Sequence, residues 1–375
     1  MTHETPYRIG LLFSTTGPYA ALGRSALDGA LMAVDEVNAE GRVSLSPELR
    51  DPEGIPQLYE QFTDELVGHG RMRHIVGGIT SWSRKDMIPV LERHGAMLWY
   101  PCPYEGFECN DHVVYLGACP NQHLVPLVDH VLRARPRRAI LVGSNYVWGW
   151  ETLRVARERL AAAGVDIAAE RFVPLGDTKC RHLIDEIDVC RPDLIVNSLI
   201  GPSNHAFMKG VADLGCNCLV LSANQTEADL DDLGTAADGM LSIAAWFEGI
   251  ETPENMAFRD RIARAFGESY RASCNFATAY TAVRLLAEGL ARTGHDEPRA
   301  VFDAIAGRPL TTVLGPAEID PVTRHTSLVP RMATARAGSF EIIHDSVAPV
   351  APDPYLTRVP PPASSGRKAN LRIVS

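Results

Sequence analysis

The sequence predicts an α/β protein made of two doubly wound, parallel-sheet lobes. Strand-like apolar runs alternate with helix-spaced segments almost from end to end, the pattern of parallel sheets with crossover helices. The alternation restarts near Asn121, giving two series. The 375 residues also exceed a single domain of about 150 residues. Hydrophobic residues make up 46% of the chain, enough to fill a core in each lobe.

In the first series, residues 8–14 read as a strand. Leu27, Ala30, Leu31, Val34 and Val37 then fall on one helical face within 25–38. Strands follow at 74–77 and 97–100, with a helix ending at 87–94 between them. The second series runs helix 124–133, strand 139–143 and helix 151–163, the last stopped by Gly164. Strand 168–173, helix 180–190, strand 193–198, helix 205–214 and strand 218–221 complete it. Residues 253–306 are helix-rich, with 276–290 the strongest segment. The Pro-rich end loses all periodicity, and 356–375 is expected to be a poorly ordered tail.

Charge and composition exclude several roles. A formal net charge of −10 argues against direct nucleic-acid binding, which needs a basic surface. No apolar run reaches the roughly 18 residues of a membrane span. No basic region with an apolar stretch precedes the first strand, so a cytoplasmic location is expected. The eight cysteines are scattered without C-x-x-C spacing, which predicts reduced thiols and no metal site. The P-loop, G-x-G-x-x-G, H-E-x-x-H and G-x-S-x-G patterns are missing from the sequence, so no cofactor is expected. Cys102 is the best nucleophile candidate, but neither His94 nor Glu105 stands at a spacing that marks a triad. A binding protein, not an enzyme, is the expectation.

Open α/β sheets bind ligands beyond the carboxyl ends of their strands. Two first-lobe strands end in small-residue, polar turns: one holds Ile79 and Ser81, the other Tyr100, Cys102 and Pro103. In the hydroxyl cluster 80–83, Ser81 or Ser83 can cap the next helix. Ser81, or the free amides there, can equally reach a ligand. Tyr146 and Trp148 follow a second-lobe strand, either as core or as an apolar wall with polar tips. Ser198 and Gln225 end the neighbouring strands. The basic pair Arg84-Lys85 and the run 133–138 read as solvated helix surface.

Tyr7-Arg-Ile-Gly-Leu-Leu-Phe-Ser-Thr-Thr-Gly17, Gly29-Ala-Leu-Met-Ala-Val-Asp-Glu-Val-Asn38, Ser83-Arg-Lys85 and Tyr100-Pro-Cys-Pro-Tyr-Glu-Gly-Phe-Glu108 resemble the amide-sensing regulators of aliphatic amidase operons. Those proteins belong to the type I periplasmic-binding-protein superfamily, near the urea- and short-chain-amide-binding proteins of ABC transporters. The resemblance spans about residues 7–355. It implies lobes of 1–118 plus 250–326 and 119–249 plus 327–375, joined by a three-segment hinge. It implies a small neutral amide or urea-like ligand between the lobes, held by Ser81, Tyr100, Cys102, Pro103, Tyr146 and Trp148. It implies a partner, an RNA-binding antiterminator that ligand binding releases, and is compatible with a homo-oligomer. Transport of urea, short-chain amides or amino acids is the alternative role. Cys102 stands where the regulators carry Thr, Trp148 where they carry Tyr, and Ile79 where a Tyr flanks the serine. A drier, differently shaped pocket follows. A ligand of about four heavy atoms, at a ceiling of about −1.5 kcal/mol per atom, binds with a Kd of about 10 μM or weaker.

Overall fold

The computed structural model describes residues 5–346 and 348–362. In the first lobe, β1 (Tyr7–Leu12), β2 (Leu45–Arg50), β3 (His74–Gly77), β4 (Met97–Tyr100) and β5 (Val113–Tyr115) form a parallel sheet in the order β2-β1-β3-β4-β5. Helices α1 (Ala20–Glu40), α2 (Pro56–Asp64) and α3 (Ser81–His94) make the crossovers. Residues of β3, β4 and β5 are buried on both faces, as expected of central strands covered by helices. The edge strand β2 carries Pro47, which only an edge tolerates easily.

The second lobe begins with α4 (Leu124–Leu132). It continues through β6 (Arg138–Ser144), α5 (Val147–Ala162), β7 (Asp166–Val173), α6 (Arg181–Cys190), β8 (Leu194–Ser198), α7 (Pro202–Leu214), β9 (Leu219–Ser222), α8 (Glu227–Leu233) and β10 (Leu241–Ala244). Three helices then return to the first lobe: α9 (Pro253–Phe266), α10 (Cys274–Thr293) and α11 (Pro298–Asp303). A small hairpin of β11 (Leu310–Thr312) and β12 (Gly315–Ala317) follows. Finally β13 (Arg331–Arg336) and β14 (Ser339–Asp345) add an antiparallel edge, giving the order β14-β13-β10-β9-β8-β6-β7.

The α/β architecture matches the sequence expectation, and three differences have physical reasons. Helix α3 starts at Ser81 because Thr80 caps it: its side chain accepts from Ser83 N, and Ser83 Oγ accepts from Thr80 N. The expected cap from Ser81 or Ser83 is thus supplied by Thr80, which frees Ser81. Strand β14 escaped the pattern because it sits at the edge of the sheet with a polar outer face, and β13 because Arg331, Thr334 and Arg336 interrupt its short apolar run. Of the segment read as a tail, residues 356–362 are held: Asp353 accepts from Thr357 N and Arg358 N, and Arg159 Nη1 donates to Pro360 O at 3.2 Å. Residues 363–375 lie outside the described residues.

Helices α1 and α10 pack backbone to backbone at Gly29, where an added Cβ would stand 2.2 Å from Phe276 O. The chain passes between the sheets after β5, after β10 and after β12, and buried polar side chains tie these passages together. Gln122 Nε2 donates to Thr326 O at 3.0 Å and Val350 O at 2.8 Å. Arg331 Nη1 donates to Ala245 O at 2.6 Å.

Candidate ligand-binding site

A cavity of about 60 Å³ lies between the lobes, beyond the carboxyl ends of both sheets. Ile79 and Ser81 enter it after β3, Cys102 and Pro103 after β4, Tyr146 and Trp148 after β6, and Gln225 after β9. Seven of the nine residues singled out from the sequence therefore share one wall. The other two do not. Tyr100 lies behind the wall, its ring under the Arg84 guanidinium. Ser198 ends β8 packed against Gly143, where an added Cβ would sit 2.7 Å from Ser198 Oγ.

The lobes are closed on each other. The Trp82 and Tyr146 rings meet across the seam at 5.3 Å. The Arg154 guanidinium lies 4.8 Å from the Phe107 ring centroid. Gly201 approaches Pro18 so nearly that a Cβ would fall 2.4 Å from Pro18 O. Its φ of +59° also favours glycine.

Behind Ser81 stands a buried charge cluster. Ser81 Oγ donates to Glu105, whose other oxygen accepts from Arg84 Nη2 at 3.1 Å. Arg84 Nε donates to Glu108 at 2.6 Å, and Lys85 Nζ reaches Glu108 at 2.8 Å. The guanidinium sits between the Tyr100 and Tyr104 rings, 4.9 and 4.6 Å from their centroids. Burial pushes the Glu108 carboxyl up, but Arg84 and Lys85 overcome this and hold it at about 2. Arg84 is fully buried, not the solvated surface cation expected. Its partners lie 21 and 24 residues away in sequence, beyond any local pattern.

Sequence reasoning missed His123, which is buried in the cavity wall. Its Nε2 donates to Tyr104 O at 3.0 Å, since a carbonyl oxygen only accepts. Nδ1 therefore carries the bare lone pair, and it has no partner among the described residues. Burial pushes His123 down to about 4, against the raising effect of the Tyr104 carbonyl, so the ring is neutral. The Trp148 ring lies 5.7 Å away, and its Nε1–H is also buried without a partner among the described residues. Gln225 Oε1 accepts from Asn204 Nδ2, and Asn204 Oδ1 from Asn197 Nδ2, each at 2.8 Å. Cys274, Asn275 and Thr278 at the start of α10 complete the polar wall. The only advance signal for them was their place at the start of the strongest helix.

Cys102 is not an activated nucleophile. Its Sγ–H points at Gly78 O at 3.5 Å, and burial pushes the thiol up. His94 is engaged with Asp64 on the surface, and Glu105 with Ser81 and Arg84. Among the described residues no cluster of three or more His, Cys, Asp or Glu could hold a metal, and no helix is long and apolar enough to cross a membrane.

The profile of the periplasmic binding protein domain matches residues 7–361. The chain belongs to that family. This binding protein is 24% identical over 317 residues to the Leu/Ile/Val-binding protein BraC3 of Rhizobium johnstonii, covering 82% of this chain and 85% of that one. It superposes with a TM-score of 0.84 and 18% identity on an ABC-transporter solute-binding protein from R. palustris in complex with benzoate, over 92% of this chain and 98% of that one. With the LivJ substrate-binding protein of Streptococcus pneumoniae in complex with isoleucine, the TM-score is 0.80 at 18% identity, over 92% and 100% of the chains. These relatives are binding proteins and not enzymes, and the two solved structures hold benzoate and isoleucine.

Proposed function

We propose that this protein captures a small, uncharged solute of amide or urea type, as the solute-binding component of an ABC transporter. One observation carries the ligand class: among the described residues, the cavity wall contains no Asp, Glu, Lys or Arg side chain. An amino-acid zwitterion enclosed there would bury two charges without ionic partners, at a cost of several kcal/mol each. Size points the same way. At about 10–15 Å³ per water, 60 Å³ holds roughly four to six waters. A cavity that takes benzene measures about 150 Å³. The branched-chain amino acids and benzoates of the relatives are thus poor matches to this wall, while the relatives' place in transport supports the same role here.

A second reading, a cytoplasmic sensor acting on an antiterminator, is favoured by the 100–108 segment. The residues that carry the resemblance to amide-sensing regulators, Tyr100, Tyr104, Glu105 and Glu108, all pack around Arg84. A thermal-shift series with acetamide, propionamide, urea, valine and benzoate tests the ligand class. A ligand at a hundred times its Kd stabilises by about 2.7 kcal/mol. Response to amides or urea alone supports the proposal, and response to valine or benzoate alone refutes it. Fractionation of the native host separates the two roles, since periplasmic protein supports transport and cytosolic protein supports the sensor.

A further inference from the structure

The hydrogen-bonding atoms left over in the cavity wall form a specific complement. Trp148 Nε1–H can only donate, and it is buried without a partner among the described residues. His123 Nδ1 can only accept, because the ring's one proton is spent on Tyr104 O. Ser81 has given its proton to the Glu105 carboxylate, which cannot donate back. Its oxygen therefore faces the cavity as an acceptor. Glu105 is in turn fixed by Arg84 at 3.1 Å. These three groups present one donor and two acceptors, with His123 and Trp148 only 5.7 Å apart between ring centroids; Thr226 Oγ1, also buried in the wall without a partner among the described residues, can donate or accept.

We propose that His123 and Ser81 together read an NH₂ group while Trp148 holds the adjoining carbonyl oxygen, so that the site selects the H₂N–C=O unit, with Glu105 as the positioning residue that keeps Ser81 an acceptor. This rests on the reading of the cleft as a site for small neutral solutes and adds the residues that choose among them. A carboxylate has no hydrogen to give His123 and sets its lone pairs against Nδ1. A secondary amide keeps one N–H and leaves one acceptor unpaired. Leaving a buried polar atom unpaired costs about 1–3 kcal/mol, about tenfold or more in affinity. Urea and carboxamides share the selected unit, so both are titrated.

The test is calorimetry on the full chain with propionamide, urea, propionate, N-methylacetamide and valine. The three acyl probes each have five heavy atoms, so size is held constant. Propionamide or urea should bind, and propionate and N-methylacetamide about tenfold weaker or worse. His123→Phe should weaken propionamide about tenfold. His123→Asn, whose Oδ1 can stand in for Nδ1, should recover most of that loss. Glu105→Gln, which lets Ser81 donate, should narrow the preference for propionamide over propionate. Should His123→Phe misfold, the ¹⁵N resonance of His123 Nδ1 in the unmodified protein gives the answer. It moves upfield on adding propionamide if the lone pair accepts a hydrogen bond. Propionamide binding that leaves this resonance in place, or is equal in folded His123→Phe, overturns the assignment while the neutral-solute reading stands. Binding of valine or propionate with silence from propionamide, urea and N-methylacetamide, or silence from all five, overturns the reading and the assignment together.

Discussion

Replacing Arg84 by Leu removes the cation from between two carboxylates and two aromatic rings. Arg84 is fully buried and Glu105 nearly so, so water cannot take the cation's place. Breaking a buried pair by deleting one partner costs about 3–5 kcal/mol. An independent route gives a similar size. Holding Glu108 at about 2 instead of 4.5, a task Arg84 leads and Lys85 shares, is worth at most about 3 kcal/mol at 1.36 kcal/mol per pH unit. With about 2.1 cal/mol/K of unfolding entropy per residue over 375 residues, a loss of 3–5 kcal/mol lowers Tm by about 4–6 °C. The sign with pH is fixed by linkage. A depressed carboxylate contributes stability above its unfolded value and loses it as pH falls through the folded one. The Arg84→Leu deficit should therefore be full at pH 7 and shrink between about pH 4.5 and 2. Thermal unfolding at pH 7, 4 and 3, with the Arg84→Leu/Glu105→Gln/Glu108→Gln triple variant as control, measures it. The triple variant should recover much of the loss. A deficit under about 1 kcal/mol, or one that ignores pH, would refute the view that this cluster is a coupled, buried unit.

Other perturbations follow from the same structure. Glu227 is buried, and burial raises its carboxyl to about 8. It destabilises the fold increasingly from pH 4.5 to 8, so Glu227→Gln should raise Tm at pH 7 by a few degrees and have little effect at pH 4. Burial also lowers His74, His123 and His325, to about 3, 4 and 4. Their unfolded forms take up protons first, so stability should fall steadily as pH drops from 6.5 towards 4. Equilibrium denaturation across that range checks the slope, and His325→Asn should reduce it. Gly29→Ala should destabilise by about 1–3 kcal/mol through the clash with Phe276 O, seen in chemical denaturation. A neutral effect there would mean that α1 and α10 can part without loss.

The alternation of apolar runs sufficed for both sheets because central parallel strands are apolar on both faces, as β3 and β4 are. It failed at the edge strands β2 and β14, which carry Pro47, Glu341 and His344, and it passed over the short strands β5, β10 and β13. The candidate site was legible where it follows a strand end, as at Ser81, Cys102, Tyr146 and Trp148. That Tyr100 lies behind the wall was not legible, because alternation along β4 does not reveal which face Arg84 of the preceding helix α3 will cover. His123 gave no signal, for its significance lies in a carbonyl 19 residues away that fixes its tautomer. Arg84 looked like surface for the same reason, since burial of a cation depends on distant carboxylates.

The closed seam has a kinetic consequence. Ser81, His123, Tyr146 and Trp148 are all shut off from solvent, and parting of the lobes is what would uncover a solute held against them. Residence time is then bounded by how often Trp82 parts from Tyr146 and Arg154 from Phe107, not by the grip of the wall alone. Two solutes of different affinity can share one escape rate when that parting is the slow step. Their difference then shows in how readily each lets the lobes meet. Weakening the Arg154–Phe107 contact would hasten release of both alike, which makes the rim of the cleft, and not its floor, the clock of the molecule.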